Sequence, residues 1–450
     1  MRYSLPWKTA SVVGIGVSNR TLIDFLVDHG VSVTARDKKT IEQMGDTADA
    51  LRAMGVSLVC GDGYLDGICD EVIFRSPGIR FDIPQFTQAV ERGSVLTSEM
   101  ELFLELTPAT VIGITGSDGK TTTATLTAEL LRQAGKHVYL GGNIGTPLLQ
   151  YVEQMTPDDY AVVELSSFQL HTMIRSPHIA AVTNLSPNHL DYHRDMDEYV
   201  EAKTNIFRHP VNRRTVLNAA NERSLPLASL VRPEAQTVWF NRAGQCEFRD
   251  GMIYLYDRPF LAASDILLPG RHNIDNYMTA ILLTEGIVSQ EDVYAVARRF
   301  AGVAHRLELV REHNGVRYYN SSIDSSPTRT AAALSCFSER VIVICGGYDK
   351  HIPFAPLAQA LCAHAKRVVL TGATAGLISE ALRGYERGQN PPFVPEVIHE
   401  PDFTQAVLTA AASAQPGDTV LLSPACASFD AFPNFAVRGQ RFREIVNGLH

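Results

Sequence analysis

The sequence predicts an α/β protein of three consecutive domains, each built on a mainly parallel sheet. Apolar, β-branched runs alternate with helical segments along the chain, and this alternation breaks near residues 98 and 304. The 450 residues exceed what one hydrophobic core usually organises. Strands joined by crossover helices pair in parallel, so helices should cover both faces of each sheet.

Composition indicates a folded protein that is neither secreted nor bound to nucleic acid. Hydrophobic residues make up 45% and charged residues 20% of the chain, and the formal charge is −9 without any run of Lys or Arg. The start has no apolar signal core, and no apolar run reaches the roughly 18 residues of a membrane span. We therefore expect a cytoplasmic protein without membrane insertion. Seven cysteines without a C-x-x-C pair predict free, mostly buried thiols.

The first predicted domain, residues 1–97, opens with a strand, a Gly14-x-Gly16 turn, a helix to Gly30 and a second strand ending at Asp37. This βαβ pattern is typical of dinucleotide-binding proteins, although the third glycine of the fingerprint is replaced by Asn19. A nucleotide site and ordinary packing of a strand against a helix are both compatible with so short a pattern.

The second predicted domain, residues 98–304, carries a candidate phosphate loop between an apolar strand and a helix that should run to Gly135. Glycines let backbone N–H groups face a phosphate, Lys120 can reach the terminal phosphates, and the Thr121 hydroxyl can bind Mg²⁺. The match is imperfect, because Ile114 stands where the general pattern has glycine. An ordinary glycine-rich turn is the alternative. The candidate ATP-binding residues here are Gly116, Ser117, Asp118, Gly119, Lys120, Thr121 and Thr122.

Further polar residues follow predicted strands of the same domain. Glu164 ends one of them and could hold Mg²⁺ or cap the next helix. His189 and His193 have the spacing of a zinc pair but no third ligand at a suitable distance, which favours a single His beside Mg²⁺ and phosphate. Lys203 lies on a predicted helix from Met196 to Phe207 and, on sequence alone, is an ordinary solvated lysine.

The third predicted domain, residues 305–450, repeats the alternation, with strands at 341–347, 367–372 and 419–424. Arg306 lies at the domain break and could reach a triphosphate, or it could be a linker residue. The segments 346–350 and 423–430 both follow strands. Each could present N–H donors to an anion or form an ordinary βα turn.

Taken together, these motifs resemble the Mur ligase family over essentially the whole chain. The motifs are TGSDGKTTT (115–123), GGNIGTP (141–147), ELSSFQL (164–170), NHLDYH (188–193), GRHNIDN (270–276), HRLE (305–308), GGYDK (346–350) and LLSPACASFDAFPNFAVRGQRF (421–442). GIGVSN at 14–19 and RSPGI at 75–79 are similar to the short nucleotide-sugar domain of one branch. That branch joins D-glutamate to UDP-N-acetylmuramoyl-L-alanine with ATP, in the synthesis of peptidoglycan precursors.

The resemblance implies a Rossmann-like first domain that binds the UDP-sugar, a central P-loop domain that binds ATP, and a Rossmann-like third domain that binds the amino acid. It implies a monomer that uses ATP and two Mg²⁺ ions, with Lys203 carbamylated by CO₂. The implied roles are catalysis by Lys120, Asn143, His189 and Lys203; metal binding by Thr121, Glu164, His189 and the Lys203 carbamate; additional ATP contacts from Asn273 and Arg306; UDP-substrate contacts from Ser18, Asp37, Lys38, Ser76 and Asn143; and D-glutamate contacts from Lys350, Ser428 and Phe435.

One stretch departs from the family pattern. Where many relatives have Asn-Asp-Ser-Lys-Ala-Thr-Asn, this chain has Ser321 in place of the acid and Ile323 in place of the lysine. An acid follows at Asp324, which could take over the nucleotide contact of the family's acid or cap a helix that begins near Pro327.

Three other functions remain as alternatives. Another Mur ligase, or an amide ligase similar to folylpolyglutamate synthetase, shares the central motifs, but no pteridine-binding region is identifiable. A nicotinamide dehydrogenase would explain Gly14, Gly16 and Asp37 and nothing after residue 100. A binding protein switched by ATP would not need an anion-binding third domain.

Overall fold

The structure is a computed structural model that describes residues 3–190, 192–350 and 352–449. Asp191, part of the predicted motif at 188–193, lies outside the described residues. The chain is a mixed α/β protein with three mainly parallel sheets, and it divides into two compact units. The first unit contains the chain up to Ala263 and Ile274–Val296; the second contains Ser264–Asn273 and the chain from Ala297 onward. The domain boundaries at 97 and 304 stay predictions.

The first sheet lies in the first unit and has five parallel strands in the order β3-β2-β1-β4-β5. The Val and Ile residues of its central strands are buried, as the alternation predicts: Val12, Val13, Val33, Val72 and Ile73. The strands are β1 (Thr9–Val13), β2 (Ser32–Asp37), β3 (Ser57–Cys60), β4 (Val72–Arg75) and β5 (Val95–Thr97); the helices are α1 (Val17–Asp28), α2 (Ile41–Met44), α3 (Asp46–Ala53), α4 (Pro84–Glu91) and α5 (Glu99–Leu106).

The second sheet, also in the first unit, has nine strands in the order β14-β13-β12-β11-β10-β9-β6-β8-β7. The strands are β6 (Thr110–Thr115), β7 (Val138–Gly142), β8 (Tyr160–Glu164), β9 (Ile179–Val182), β10 (Arg214–Asn218), β11 (Gln236–Phe240), β12 (Cys246–Arg249), β13 (Met252–Leu255) and β14 (Arg258–Ala262). The helices of this stretch are α6 (Lys120–Gln133), α7 (Ser167–Leu170), α8 (Met196–Thr204), α9 (Arg271–Leu283) and α10 (Gln290–Ala297), with 3₁₀ turns at Leu148–Tyr151, Leu225–Leu230 and Ala263–Asp265.

Beyond the predicted parallel strands, this sheet ends in two antiparallel hairpins, β12–β13 and β13–β14. Each hairpin turns through two residues with positive φ. Asp250 (φ 49°) and Gly251 (φ 75°) form one turn, and Tyr256 (φ 50°) and Asp257 (φ 62°) form the other. Two positive φ angles in a two-residue loop match the right-handed twist of the flanking strands. The hairpins therefore extend the parallel sheet at one edge.

The third sheet lies in the second unit and has six strands in the order β15-β16-β20-β17-β18-β19. All pairs are parallel except the β15–β16 hairpin at one edge. The strands are β15 (Glu308–His313), β16 (Val316–Asn320), β17 (Val341–Gly346), β18 (Ala365–Thr371), β19 (Glu396–His399) and β20 (Thr419–Leu422); the helices are α11 (Pro327–Leu334), α12 (Ala355–His364), α13 (Ala375–Gln389), α14 (Phe403–Ala412) and α15 (Phe435–Asn447).

The cysteines and the helices also bear on the sequence predictions. The seven cysteines are free thiols and four of them are buried, which confirms the prediction. Within the described residues, no helix combines the length and the apolar character needed to cross a lipid bilayer.

Candidate nucleotide and metal site

A tight loop joins β6 to α6, and two of its glycines are required by the packing around them. Gly116 has φ +147°, and a Cβ there would lie 1.9 Å from Thr183 Oγ1. Gly119 has φ +80°, and a Cβ there would lie 2.5 Å from Asn276 Oδ1. Ile114 is fully buried within β6, so the missing glycine falls in the strand and not in the loop. The imperfect match to the general pattern thus leaves the loop itself intact.

Neighbouring segments hold the loop in shape. Lys120, the first residue of α6, curls back so that Nζ donates to the carbonyl oxygens of Gly116 (3.0 Å) and Ser117 (2.8 Å). Asn184 Oδ1 accepts a hydrogen bond from the Asp118 backbone N–H at 2.9 Å. The Ser117 and Tyr199 hydroxyls lie 2.9 Å apart. These contacts fix the loop directly before the start of α6, and the start of a helix is where backbone N–H groups can bind an anion.

Three predicted residues meet at the carboxyl end of β8. Glu164 is buried, and its two carboxylate oxygens accept hydrogen bonds from Thr121 Oγ1 (2.7 Å) and Asn143 Nδ2 (2.9 Å). This set of hydroxyl, carboxylate and amide groups offers only hard oxygen ligands towards a cation, which fits Mg²⁺. Glu164 does not act as a helix cap, because Ser166 caps α7.

Lys203 is buried rather than solvated, which corrects the interpretation from sequence alone. Its Nζ donates to Thr115 Oγ1 (3.1 Å) and to the carbonyl oxygen of Gly116 (2.9 Å), and it lies 4.8 Å from the centre of the Tyr199 ring. Burial, followed by the positive charge of Lys120, holds the pKa of Lys203 well below its ordinary value. Its helix α8 ends at Thr204, three residues before the predicted end.

His189 and His193 do not share a ligand site. His189 adopts a positive φ of 55°, and its carbonyl oxygen accepts hydrogen bonds from the N–H groups of Tyr192 and His193. The His193 ring is buried and lies 2.9 Å from Ser167 Oγ through Nε2. Burial, with a smaller contribution from His171, lowers the pKa of His193 to about 4. The His193 ring is therefore neutral at physiological pH.

A different trio, His171, His193 and Glu198, brings three possible ligand atoms within 4.8 Å of one another. The sequence analysis missed this trio because its members are separated along the chain. Both oxygens of Glu198 already accept hydrogen bonds from Arg80 and Arg194. A divalent cation would have to displace these cationic groups, so the trio does not fit a metal.

The predicted UDP-binding residues lie around the first turn of the first sheet. Asp37 accepts hydrogen bonds from the N–H groups of Ile15 (2.7 Å) and Lys39 (2.9 Å). A Cβ at Gly14 would lie 2.8 Å from Ser76 Cβ, so this turn and the 75–79 loop are in contact. Ser18 lies in the first turn of α1, and Lys38 is exposed after β2.

Asn19 occupies the position of the missing third glycine. Its Nδ2 donates to the carbonyl oxygens of Val13 (3.2 Å) and Gly14 (2.7 Å). Hydrogen bonds of the Asn19 side chain thus connect α1 to the end of β1. In the dinucleotide-binding fingerprint, a glycine at this position lets the helix pack closely against the strand instead.

In the second unit, the loops after β17 and β20 lie side by side. The Tyr348 N–H donates to the Ala427 carbonyl oxygen at 2.9 Å, which brings the segments of Lys350 and Ser428 together. Lys350 Nζ lies 3.5 Å from Ser325 Oγ. Ser428 is buried, whereas Phe435 is 40% exposed at the start of α15. Arg306 lies in the turn before β15, and the buried Asn273 donates to the Pro269 carbonyl oxygen.

Sequence reasoning missed Arg438, which joins the segment after β16 to the loop after β20. The guanidinium is buried and donates to Ser322 Oγ and to the carbonyl oxygens of Ser322, Cys426 and Ala427 at 2.9 to 3.1 Å. Nothing in the local pattern distinguishes it from the neighbouring arginines of α15.

Asp324 neither caps a helix nor faces solvent. Ser326 is the N-cap of α11, so the capping hypothesis is wrong. The Asp324 carboxylate is buried and accepts a hydrogen bond from Ser423 Oγ at 2.9 Å. Burial raises its pKa to about 6.

Fold and site together define an α/β protein in which a glycine-rich loop between a strand and a helix lies beside a hydroxyl–carboxylate pair suited to Mg²⁺. Residues 114–284 match the Mur ligase middle domain, and residues 305–426 match the Mur ligase glutamate ligase domain. The chain belongs to the Mur ligase family.

Relatives cover nearly its full length. A UDP-N-acetylmuramoylalanine--D-glutamate ligase from Clostridium novyi (strain NT) is 46% identical over 98% of this chain and 97% of its own length. One from Acetivibrio thermocellus is 44% identical over the same shares. Among solved structures, the UDP-N-acetylmuramate-alanine ligase MurC from Thermotoga maritima shares the fold with a TM-score of 0.59 at 18% identity, over 98% of this chain and 99% of its own.

Proposed function

We propose that this chain is an ATP-dependent, ADP-forming ligase that adds D-glutamate to UDP-N-acetylmuramoyl-L-alanine during peptidoglycan precursor synthesis. The observation that carries the proposal is its identity of 44–46% to ligases of that name over almost its entire length. The meeting of Thr121, Asn143 and Glu164 beside the phosphate loop supports it independently.

The reaction needs a carboxylate to become a good acyl donor. A substrate carboxylate oxygen attacks the γ-phosphorus of ATP, the bond to the β–γ bridging oxygen breaks, and ADP leaves. The D-glutamate nitrogen then attacks the acyl carbon, phosphate departs from the tetrahedral intermediate, and the nitrogen gives up a proton. Lys120 and the loop N–H groups offset the negative charge of the phosphates. Asn143 contacts the reacting carboxylate, which sets the line of attack.

In this proposal, two Mg²⁺ ions would be held by Thr121, Glu164, His189 and Lys203. When bound, the ions neutralise phosphate charge and screen the approach of one anion to another. Lys203 joins this set only as a carbamate, which forms when its neutral amine adds CO₂ and releases a proton. Burial lowers the pKa of Lys203, which increases the share of the reactive, neutral amine and so supports this step.

The remaining roles follow the family pattern. The proposed architecture is a Rossmann-like domain at 1–97 for the UDP-sugar, a P-loop domain at 98–304 for ATP and a Rossmann-like domain at 305–450 for the amino acid, in a cytoplasmic monomer. The proposed contacts are Gly116, Ser117, Asp118, Gly119, Thr122, Asn273 and Arg306 for ATP; Ser18, Asp37, Lys38 and Ser76 for the uridine diphosphate; and Lys350, Ser428 and Phe435 for D-glutamate.

One assay tests the proposal. Phosphate release should require ATP, UDP-N-acetylmuramoyl-L-alanine and D-glutamate together. Replacing D-glutamate with L-alanine, L-lysine or meso-diaminopimelate separates this function from that of other Mur ligases. Release that is equally fast with another of these amino acids, or without the muramoyl substrate, contradicts it.

A further inference from the structure

One arginine outside the predicted site, Arg80, joins the 75–79 loop to the elements that carry His189 and Lys203. It donates to the Tyr192 carbonyl oxygen (2.6 Å) and to both carboxylate oxygens of Glu198 (3.1 and 3.3 Å). It also makes a bidentate pair with Asp82 at 2.7 and 2.8 Å. These bonds use all five guanidinium N–H groups, so none remains for a ligand.

Helix α8 connects this contact to the phosphate loop. Glu198 lies in its first turn, where the Asp195 cap accepts a hydrogen bond from the Glu198 N–H. Lys203 lies five residues later, roughly 7.5 Å along the axis, and its Nζ donates to the Gly116 carbonyl oxygen. The helix therefore contacts Arg80, which directly follows the 75–79 loop, near one end and the phosphate loop near the other.

Low solvent exposure and the neighbouring Tyr192 stabilise the Arg80–Glu198 contact. The side chains are 24% and 8% exposed, so water competes weakly for the shared hydrogen bonds. The Arg80 guanidinium also lies 5.5 Å from the centre of the Tyr192 ring. Tyr192 in turn donates through its hydroxyl to the Pro77 carbonyl oxygen at 3.1 Å, a second bond between the same two segments.

We propose that Arg80 is a positioning residue, which holds Tyr192 and helix α8 in register with the loop that carries Ser76. This inference rests on the proposed function, in which Ser76 binds one end of the muramoyl substrate while His189 and Lys203 act at the other. Arg80 then sets where the reacting carboxylate lies relative to the phosphate loop, and it touches none of the three substrates.

The experiment compares Arg80→Gln with Arg175→Gln, which removes a surface pair with Glu105 in the same unit. We expect Arg80→Gln to lower kcat about 10- to 100-fold, because a displacement of about 1 Å can cost on the order of 100-fold. The Kd values of a non-hydrolysable ATP analogue and of the UDP-substrate, each measured alone, should stay within about threefold. Arg175→Gln should match the wild type.

Other outcomes overturn the inference. A rise in KM for the UDP-substrate at unchanged kcat would make Arg80 a substrate ligand, and a parallel loss of ATP-analogue binding would make it a general fold contact. Adding Glu198→Gln should lower kcat no further if both residues act through one contact, so additive losses also contradict the inference.

Hydrogen exchange without ligands separates this inference from the proposed function. The Tyr192 and His193 amides are hydrogen-bonded to the His189 carbonyl oxygen, and they should exchange faster in Arg80→Gln while the amides of β6 stay protected. Unchanged exchange refutes the positioning role even if the ligase activity is confirmed. If the wild type shows no ligase activity but these amides still exchange faster in Arg80→Gln, the result supports the positioning contact and refutes only the proposed function.

Discussion

Replacing the buried Asp324 with Asn should change how the stability of the second unit depends on pH. Burial raises the pKa of this carboxyl from 3.8 to about 6. A carboxyl with a raised pKa binds its proton more tightly in the folded state. Its contribution to stability is therefore complete below about pH 4 and is lost as pH rises to about 6. Since each pKa unit is worth about 1.4 kcal/mol, the loss amounts to about 3 kcal/mol.

Asn keeps an oxygen acceptor for Ser423 but cannot ionise. The free energy of unfolding of Asp324→Asn, relative to wild type, should therefore rise by about 3 kcal/mol between about pH 4 and pH 7. Urea denaturation at a series of pH values, followed by circular dichroism, measures this difference. Asp402→Asn is the matched control, because Asp402 is an exposed helix cap and Asn caps equally well; its difference should stay within about 0.5 kcal/mol.

If the difference in free energy of unfolding between Asp324→Asn and the wild type does not vary with pH, the reasoning is refuted. Asp324 would then have the same proton affinity in the folded and the unfolded chain. The same variant also tests whether Asp324 binds the nucleotide in place of the acid that many relatives have where this chain has Ser321. Since the carboxylate is buried against Ser423, we expect KM for ATP to change less than twofold. A several-fold rise in that constant would support a nucleotide contact by Asp324.

Three further predictions concern the first unit. Lys120→Ala should lower kcat on the order of 100- to 1000-fold in the phosphate-release assay, and near-normal turnover would refute the phosphate-loop assignment. Lys203→Arg places a permanent positive charge where the proposal needs a carbamate, so the variant should be nearly inactive and added bicarbonate should not restore its activity; an active variant would remove Lys203 from the metal site. Burial raises the pKa of Glu99 to about 7, so its stabilising contribution is lost as pH rises from about 4.5 to about 7, and Glu99→Gln should unfold at a higher temperature than wild type at pH 8 but not at pH 4. Equal shifts of the unfolding midpoint at both pH values would contradict this assignment.

The alternation of strands and helices, and the loop between β6 and α6, were readable from the sequence because both depend on local patterns. Apolar runs mark buried strands, and glycines mark a loop that no larger residue could form. Lys203 was not readable in this way. Its role depends on burial against Thr115 and Gly116, which are distant in the chain and adjacent only after folding.

The departures have specific physical reasons. Asn19 replaces a glycine because its side chain can bond to the Val13 and Gly14 carbonyl oxygens. Of the two roles left open for Asp324, the helix cap rested on its position before Pro327, and burial against Ser423 outweighs this local capping preference. The Asp-Gly pair at 250–251 is a strong hairpin signal that the sequence analysis overlooked.

The hairpin edge of the second sheet offers a place to attach a reporter. Strand β14 lies six strand positions from β6, and at about 4.8 Å per strand the two are roughly 29 Å apart across the sheet. The turn at Tyr256 and Asp257 is at this far edge and needs positive φ at both residues, so a Gly-containing insertion there would relieve backbone strain rather than create it. A fluorophore attached to that turn would lie within energy-transfer range of a labelled nucleotide bound at the loop between β6 and α6, without contacting the proposed active site.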